Sequence, residues 1–266
     1  MLVKNKIAVI FGGSGAVGHA IAQTLAREGA HVYLGARHQH KLDQVAAHID
    51  NVEGRVKTFI VDVLNEEVTQ TAIKQLAELT GGIDVVINAT SFMHNQGKEL
   101  SALTQHEFMQ GITPFLAAQF NIAKAVVPYM GIKTTGSMMS IIAPSGAMAI
   151  PGHLGHIVGC AGSEAFIKAL ASELGPKNIR VLGVRSHAIA DAAQAGSYTR
   201  ELFSLKAKAM GITLDEWLNG AAQSTMLKRL PTLAQIAETV TFLASDHASA
   251  MTATIVNVTA GATINS

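Results

Sequence analysis

An uninterrupted apolar run, Ile7-Ala8-Val9-Ile10-Phe11, leads directly into Gly12-Gly13-Ser14-Gly15-Ala16-Val17-Gly18, and a helical pattern follows at once. Five apolar residues in succession suit a strand buried on both faces of a parallel sheet. Val17, Ala20, Ile21, Thr24 and Leu25 then recur at helical spacing, and Gly29 stops the helix. Parallel strands need crossover connections, usually helices, so this opening commits the chain to strand–helix–strand units.

The alternation continues. Further strands are expected at His31 to Ala36, Val56 to Val61, Ile83 to Ala89, Ser137 to Ile142 and Ile179 to Arg185. Between them, helices are expected at Lys41 to Ile49, Val68 to Leu79 and Ile157 to Leu174, with a long apolar helix ending near Pro128. Residues 190–230 break the rhythm with helical pieces, Glu201 to Met210 and Leu214 to Ala222, that read as a lid over the strand ends. Helix Leu233 to Ala244 and strand Thr254 to Val258 close the pattern. No linker or repeat intervenes. The reading is α/β: one Rossmann-type domain over residues 1–266, a doubly wound parallel sheet with helices on both faces.

Composition narrows the function. The net charge is +1 with only 15% charged residues, which argues against nucleic-acid and anionic-membrane partners and for a small-molecule ligand. The single cysteine, Cys160, excludes an intramolecular disulfide framework and fits a reducing compartment. No targeting segment stands out, so a cytoplasmic location is expected. No charged side chain lies between Lys133 and Glu164, yet Pro144, Pro151 and several glycines make a membrane-spanning helix there unexpected.

In doubly wound sheets ligands bind beyond the carboxyl ends of the strands. The glycine-rich turn after the first strand therefore predicts a dinucleotide site, with Gly12, Ser14, Gly15, Val17 and Gly18 around its diphosphate. A site selective for a 2′-hydroxyl places a carboxylate after the second strand. This chain has Gly35-Ala36-Arg37 instead, so Arg37 is expected to pair with a 2′-phosphate, favouring NADP(H) over NAD(H).

These segments, with Asp62-Val63, Ile83-Asp84-Val85-Val86-Ile87-Asn88, Ala171-Ser172-Glu173-Leu174-Gly175-Pro176-Lys177-Asn178-Ile179-Arg180-Val181 and the closing Thr252 to Gly261, resemble the short-chain dehydrogenase/reductase family over nearly the whole chain. The resemblance implies that Gly12, Gly18, Arg37, Asp62, Val63, Asn88 and Ile189 meet the cofactor. It also puts the family's Tyr-x-x-x-Lys pair at His156 and Cys160, its serine at Ala143 and its asparagine at Phe115. The usual Pro-Gly after the sixth strand reads Ser186-His187. The resemblance thus implies a divergent member in which all four residues of the usual tetrad are replaced.

Three readings of the replaced site follow. In the first, a modified oxidoreductase acts on a small carbonyl or alcohol, with His156 as a proton donor of near-neutral pKa. His94 and His187 are then expected in the same cavity, and Tyr198 in the lid is a weaker acid candidate. In the second, a catalytically silent homologue binds or regulates, with the apolar helices Ile112 to Val127 and Ile157 to Leu170 as partner surfaces in a homodimer or homotetramer. In the third, His153, His156 and Cys160 have suggestive metal-ligand spacing, although no metal is assigned. Lyase or isomerase chemistry in the same pocket stays open.

Overall fold

The computed structural model describes residues 1–49, 55–195 and 198–264. Along the chain run β1 (Ile7–Phe11), α1 (Ala16–Arg27), β2 (His31–Ala36), α2 (Gln39–His48), β3 (Val56–Ile60), α3 (Glu66–Thr80) and β4 (Val85–Asn88). Next come α4 (Gln105–Gln110), α5 (Thr113–Val126), β5 (Gly136–Ile142), α6 (Leu154–Leu174) and β6 (Ile179–Ser186). Helices α7 (Tyr198–Ala209), α8 (Leu214–Gln223) and α9 (Leu233–Ala244) precede β7 (Thr254–Val258). The strands pair in parallel in the order β3-β2-β1-β4-β5-β6-β7. The connection reverses direction between β1 and β4, which opens a crevice at the carboxyl edge of the sheet.

Burial follows the sequence pattern. β1 and β4 to β6 are almost wholly buried, whereas β3 lies at one edge and is largely half-exposed. On one face, Ile21 and Leu25 of α1 meet Ile236 and Val240 of α9 above Ile10, Leu34 and Val184. On the other, Ile73 of α3, Ile122 of α5 and Ile167 of α6 pack over Val9, Val86 and Val181. Both faces are therefore sealed by apolar helix stripes, as an all-parallel sheet requires.

Two differences from the expected elements matter for function. The apolar helix expected over Ile112 to Val127 is α5, and an unexpected short helix, α4, precedes it with Gly111 and Ile112 between them. Helix α6 crosses at that break: a Cβ at Gly159 would lie 2.0 Å from the Gly111 carbonyl oxygen, and one at Gly155 would lie 2.3 Å from that of Phe108. Only glycines allow backbones so close. Pro114 sits in the first turn of α5, where its missing N–H costs no helical bond. In addition, α6 begins at Leu154 rather than Ile157, which places His156 in its first turn.

Candidate functional site

A cleft of about 1250 Å³ runs along the carboxyl edge of the sheet. The register sets its floor: Phe11 pairs with Gly35 and Asn88, Asn88 with Ser140, and Ile142 with Arg185. The loops after all of these strands open on one side.

At the β1–β3 end the backbone does most of the work. Gly12 has φ +79°, and a Cβ there would lie 2.5 Å from the Ala89 carbonyl oxygen. Gly15 donates its N–H to the Gly12 carbonyl at 3.0 Å, closing the turn that starts α1. No side chain caps α1 and its first turn carries no acid, so its N-terminus is open to an anionic group. Ser14, Gly15 and Val17 line the cleft with Gly12; Gly18 does not. Its role lies underneath, because a Cβ at Gly18 would lie 2.5 Å from the Gly12 carbonyl oxygen. Arg37 and Lys41 are exposed on the rim beyond β2. Asp62 and Val63 follow β3, with an Asp62 carboxylate oxygen accepting the Leu64 N–H at 3.1 Å. Asn88 is buried and its Oδ1 accepts both the backbone N–H and the hydroxyl of Thr90. Ile189 lines the opposite wall. A glycine cradle, an uncapped helix start and a cationic rim fit a dinucleotide.

At the β4–β6 end side chains take over, and four of them, His94, His153, His156 and His187, carry imidazoles. His94 and His156 stack with ring centroids 4.0 Å apart, and Phe115 meets both edgewise or tilted. His94, His153 and His156 are buried. Hydrogen bonds fix two tautomers, since a carbonyl can only accept. His94 Nδ1 donates to Phe92 O, leaving Nε2 to accept from Gln96 at 2.8 Å. His153 Nδ1 donates to Pro151 O, leaving Nε2 to accept from Lys206 Nζ at 3.0 Å. Both rings are thus fully committed. Among the described residues, His156 has one hydrogen-bond partner, the weak Cys160 sulfur at 3.7–3.8 Å, and His187 Nε2 is buried with none.

Burial disfavours charge here. His156 is pushed down to about 3 by burial and by the nearby His94, His153 and Lys206. The near-neutral acid expected at this position is therefore a neutral imidazole at pH 7, because burial and the neighbouring cationic and imidazole groups disfavour its protonation. Cys160 is pushed up to about 12, by burial first and Glu164 second, so it remains a thiol. Glu164 is itself paired in fork geometry with Arg185, at 2.9 Å on both oxygens. Ala143 lines the cleft next to these groups.

The spacing of His153, His156 and Cys160 does not yield a metal centre: among the described residues no three His, Cys, Asp or Glu side chains gather around one point. The ammonium of Lys206 takes the His153 nitrogen that a metal would need. The Tyr198 side chain lies outside the described residues. No helix among them is long and apolar enough to cross a membrane.

Sequence reasoning missed Lys206 and Trp217. Lys206 lies four residues after Leu202 and three after Phe203, on the inward face of α7, and its Nζ sits 5.1 Å from the centroid of the Trp217 ring. A lysine on the apolar stripe of an otherwise amphipathic helix was the available signal.

The family model described as enoyl-(acyl carrier protein) reductase matches residues 13–263. The chain belongs to the short-chain dehydrogenase/reductase family. Within it, the chain is 24% identical to the 3-oxoacyl-(acyl-carrier-protein) reductase FabG of Thermotoga maritima, covering 99% of this chain and 100% of that one. It is 27% identical to human dehydrogenase/reductase SDR family member 4, over 97% of this chain and 87% of the relative. The solved structure of gox2181 superposes with a TM-score of 0.80 at 25% identity, covering 97% and 96% of the two chains. Sorbitol-6-phosphate 2-dehydrogenase SrlD from Erwinia amylovora shares the fold, with a TM-score of 0.86 at 22% identity over 97% and 100%. Short-chain dehydrogenases/reductases are oxidoreductases that use NAD(P).

Proposed function

We propose that the protein is an NADP(H)-dependent oxidoreductase that interconverts a small carbonyl compound and its alcohol, with His156 holding the substrate oxygen. Gly12, Ser14, Gly15 and Val17 would hold the diphosphate over the α1 N-terminus, and Arg37 would pair with the 2′-phosphate. Asp62, Val63, Asn88 and Ile189 would flank the rings and riboses. The nicotinamide supplies or takes up the hydride when bound. The observation that carries the reading is His156: it lines the cleft in the first turn of α6, with only a weak sulfur contact on its ring.

As a neutral imidazole, His156 polarises a carbonyl by donating an N–H bond, and the proton that turns the alkoxide left by hydride addition into the alcohol comes from solvent. A neutral imidazole of depressed pKa can serve as such an electrophile. The stacked His94 ring and Phe115 fix the plane of the donor. His187, with an unpartnered Nε2 on the same cleft, is the second group within the site able to meet the substrate oxygen or its proton. Helices α7 and α8 act as the lid in this reading, closing water out of the imidazole cluster.

A second reading has its own support: a silent member that binds cofactor without turnover. With His156 pushed down to about 3 and Cys160 up to about 12, neither replacement ionises near neutrality. NADPH deuterated at the transferring position, incubated with a panel of aldehydes, ketones and quinones, separates the two. Deuterium in the product, lost in His156→Ala, is the expected outcome. Tight NADPH binding with no transfer to any panel member overturns it and leaves the silent reading.

A further inference from the structure

We propose that the β4–β6 end of the cleft is an anion receptor centred on the Lys206 ammonium, for a substrate bearing a carboxylate or a phosphate monoester beside its reacting carbon. The inference rests on the oxidoreductase reading only for the word substrate.

Lys206 turns inward from α7 and is partly buried, yet none of its described contacts is an anion. Its hydrogen-bond partner is the lone pair of a neutral imidazole, because His153 spends its own N–H on the Pro151 carbonyl. Its other contact is the π face of Trp217, and that indole is held by Phe203 stacked at 4.5 Å. An imidazole lone pair and an aromatic face offset only part of the cost of withdrawing a cation from water. A lysine stem of this length would ordinarily carry its charge out to solvent.

Carboxylates do not fill the gap. Among the described residues lining the cleft, Asp62 is the one acid, and it follows β3 at the other end. Glu164 and Glu107, the acids nearest the substrate end along α6 and α4, are already paired with Arg185 and Lys98. The surrounding His94, His153, His156 and His187 add no negative charge. One of the three Lys206 N–H groups goes to His153, and the others are available to an incoming oxyanion. An anion arriving there makes charge-assisted bonds in a region of low dielectric, where they are strongest. The same contact would anchor a bifunctional substrate with its carbonyl toward His156.

The chain contains one tryptophan, so the emission of Trp217 reports this pocket directly and without turnover. Acetoacetate and dihydroxyacetone phosphate are titrated against their neutral counterparts, ethyl acetoacetate and dihydroxyacetone, with NADP⁺ present. An anion is expected to bind about tenfold or more tighter than its neutral partner, the scale of one charged hydrogen bond. Whichever anion shows the larger preference identifies the carboxylate or the phosphate as the natural group. Lys206→Gln and Lys206→Met should each erase the preference while thermal unfolding stays cooperative, and Lys206→Arg should retain it. Equal binding of neutral and anionic probes overturns the proposal, as does a preference that survives loss of the ammonium. Anion-selective binding without deuterium transfer keeps the receptor and removes the oxidoreductase reading. Transfer to neutral carbonyls with no anion preference does the reverse.

Discussion

The two ends of the cleft are built from different materials. At the β1–β3 end, backbone shapes the site: a positive-φ glycine, a second glycine packed beneath it, and the exposed start of α1. At the β4–β6 end, side chains from four separate segments converge: His94 after β4, His156 on α6, His187 after β6 and Lys206 on α7. A backbone site tolerates almost any neighbour so long as its glycines remain. A side-chain site is only as well defined as the packing of the elements that deliver it. The two ends therefore respond to substitution in different ways.

The comparison is tested most severely at the helix crossing. Gly159→Val would drive a side chain into the Gly111 carbonyl oxygen, 2.0 Å from where the Cβ would stand, forcing α6 outward. Denaturant unfolding should show a loss of about 3 kcal/mol or more, beyond ordinary overpacking because the obstacle is backbone. If the variant folds, NADP(H) affinity should survive better than any function that depends on His156.

Titration comes next in size. The unfolded imidazole of His156 has a pKa near 6.5, and the folded one is pushed down to about 3. Below pH 6.5 the unfolded chain takes up a proton that the native state refuses, so stability is fully present above that pH and drains away as pH falls toward 3. The expected difference is a shallower acid limb for His156→Gln than for the parent in urea midpoints measured from pH 7 to 4. Identical limbs would mean that His156 is not held neutral.

The smallest effect belongs to the exposed rim. Arg37→Gln should weaken NADPH by about tenfold, one charge-assisted bond in partial contact with solvent, while NADH is nearly unchanged. Parallel loss of both cofactors in an equilibrium titration would show that Arg37 does not read the 2′-phosphate.

By itself the sequence determined the sheet and the glycine turn that shapes one end of the cleft. Apolar runs such as Ile7–Phe11 and helical repeats such as Val17 to Leu25 are local patterns, and a turn that demands glycine at Gly12 announces itself in the residue type. It also supplied His156, Cys160, Ala143 and Phe115 as neighbours of one site, through the family's spacing. What it left open was their state. The distance between His94 and His156 in the sequence hides a ring stack of 4.0 Å, and the charge of an imidazole depends on burial and on who stands beside it. His153 looked like a metal ligand at spacing three and four, until Lys206, more than fifty residues away, took its free nitrogen. Neither that partnership nor the absence of a carboxylate beside it is written in any local pattern. Backbone geometry is encoded locally, whereas protonation and pairing are properties of the assembled environment, which only the tertiary structure decided.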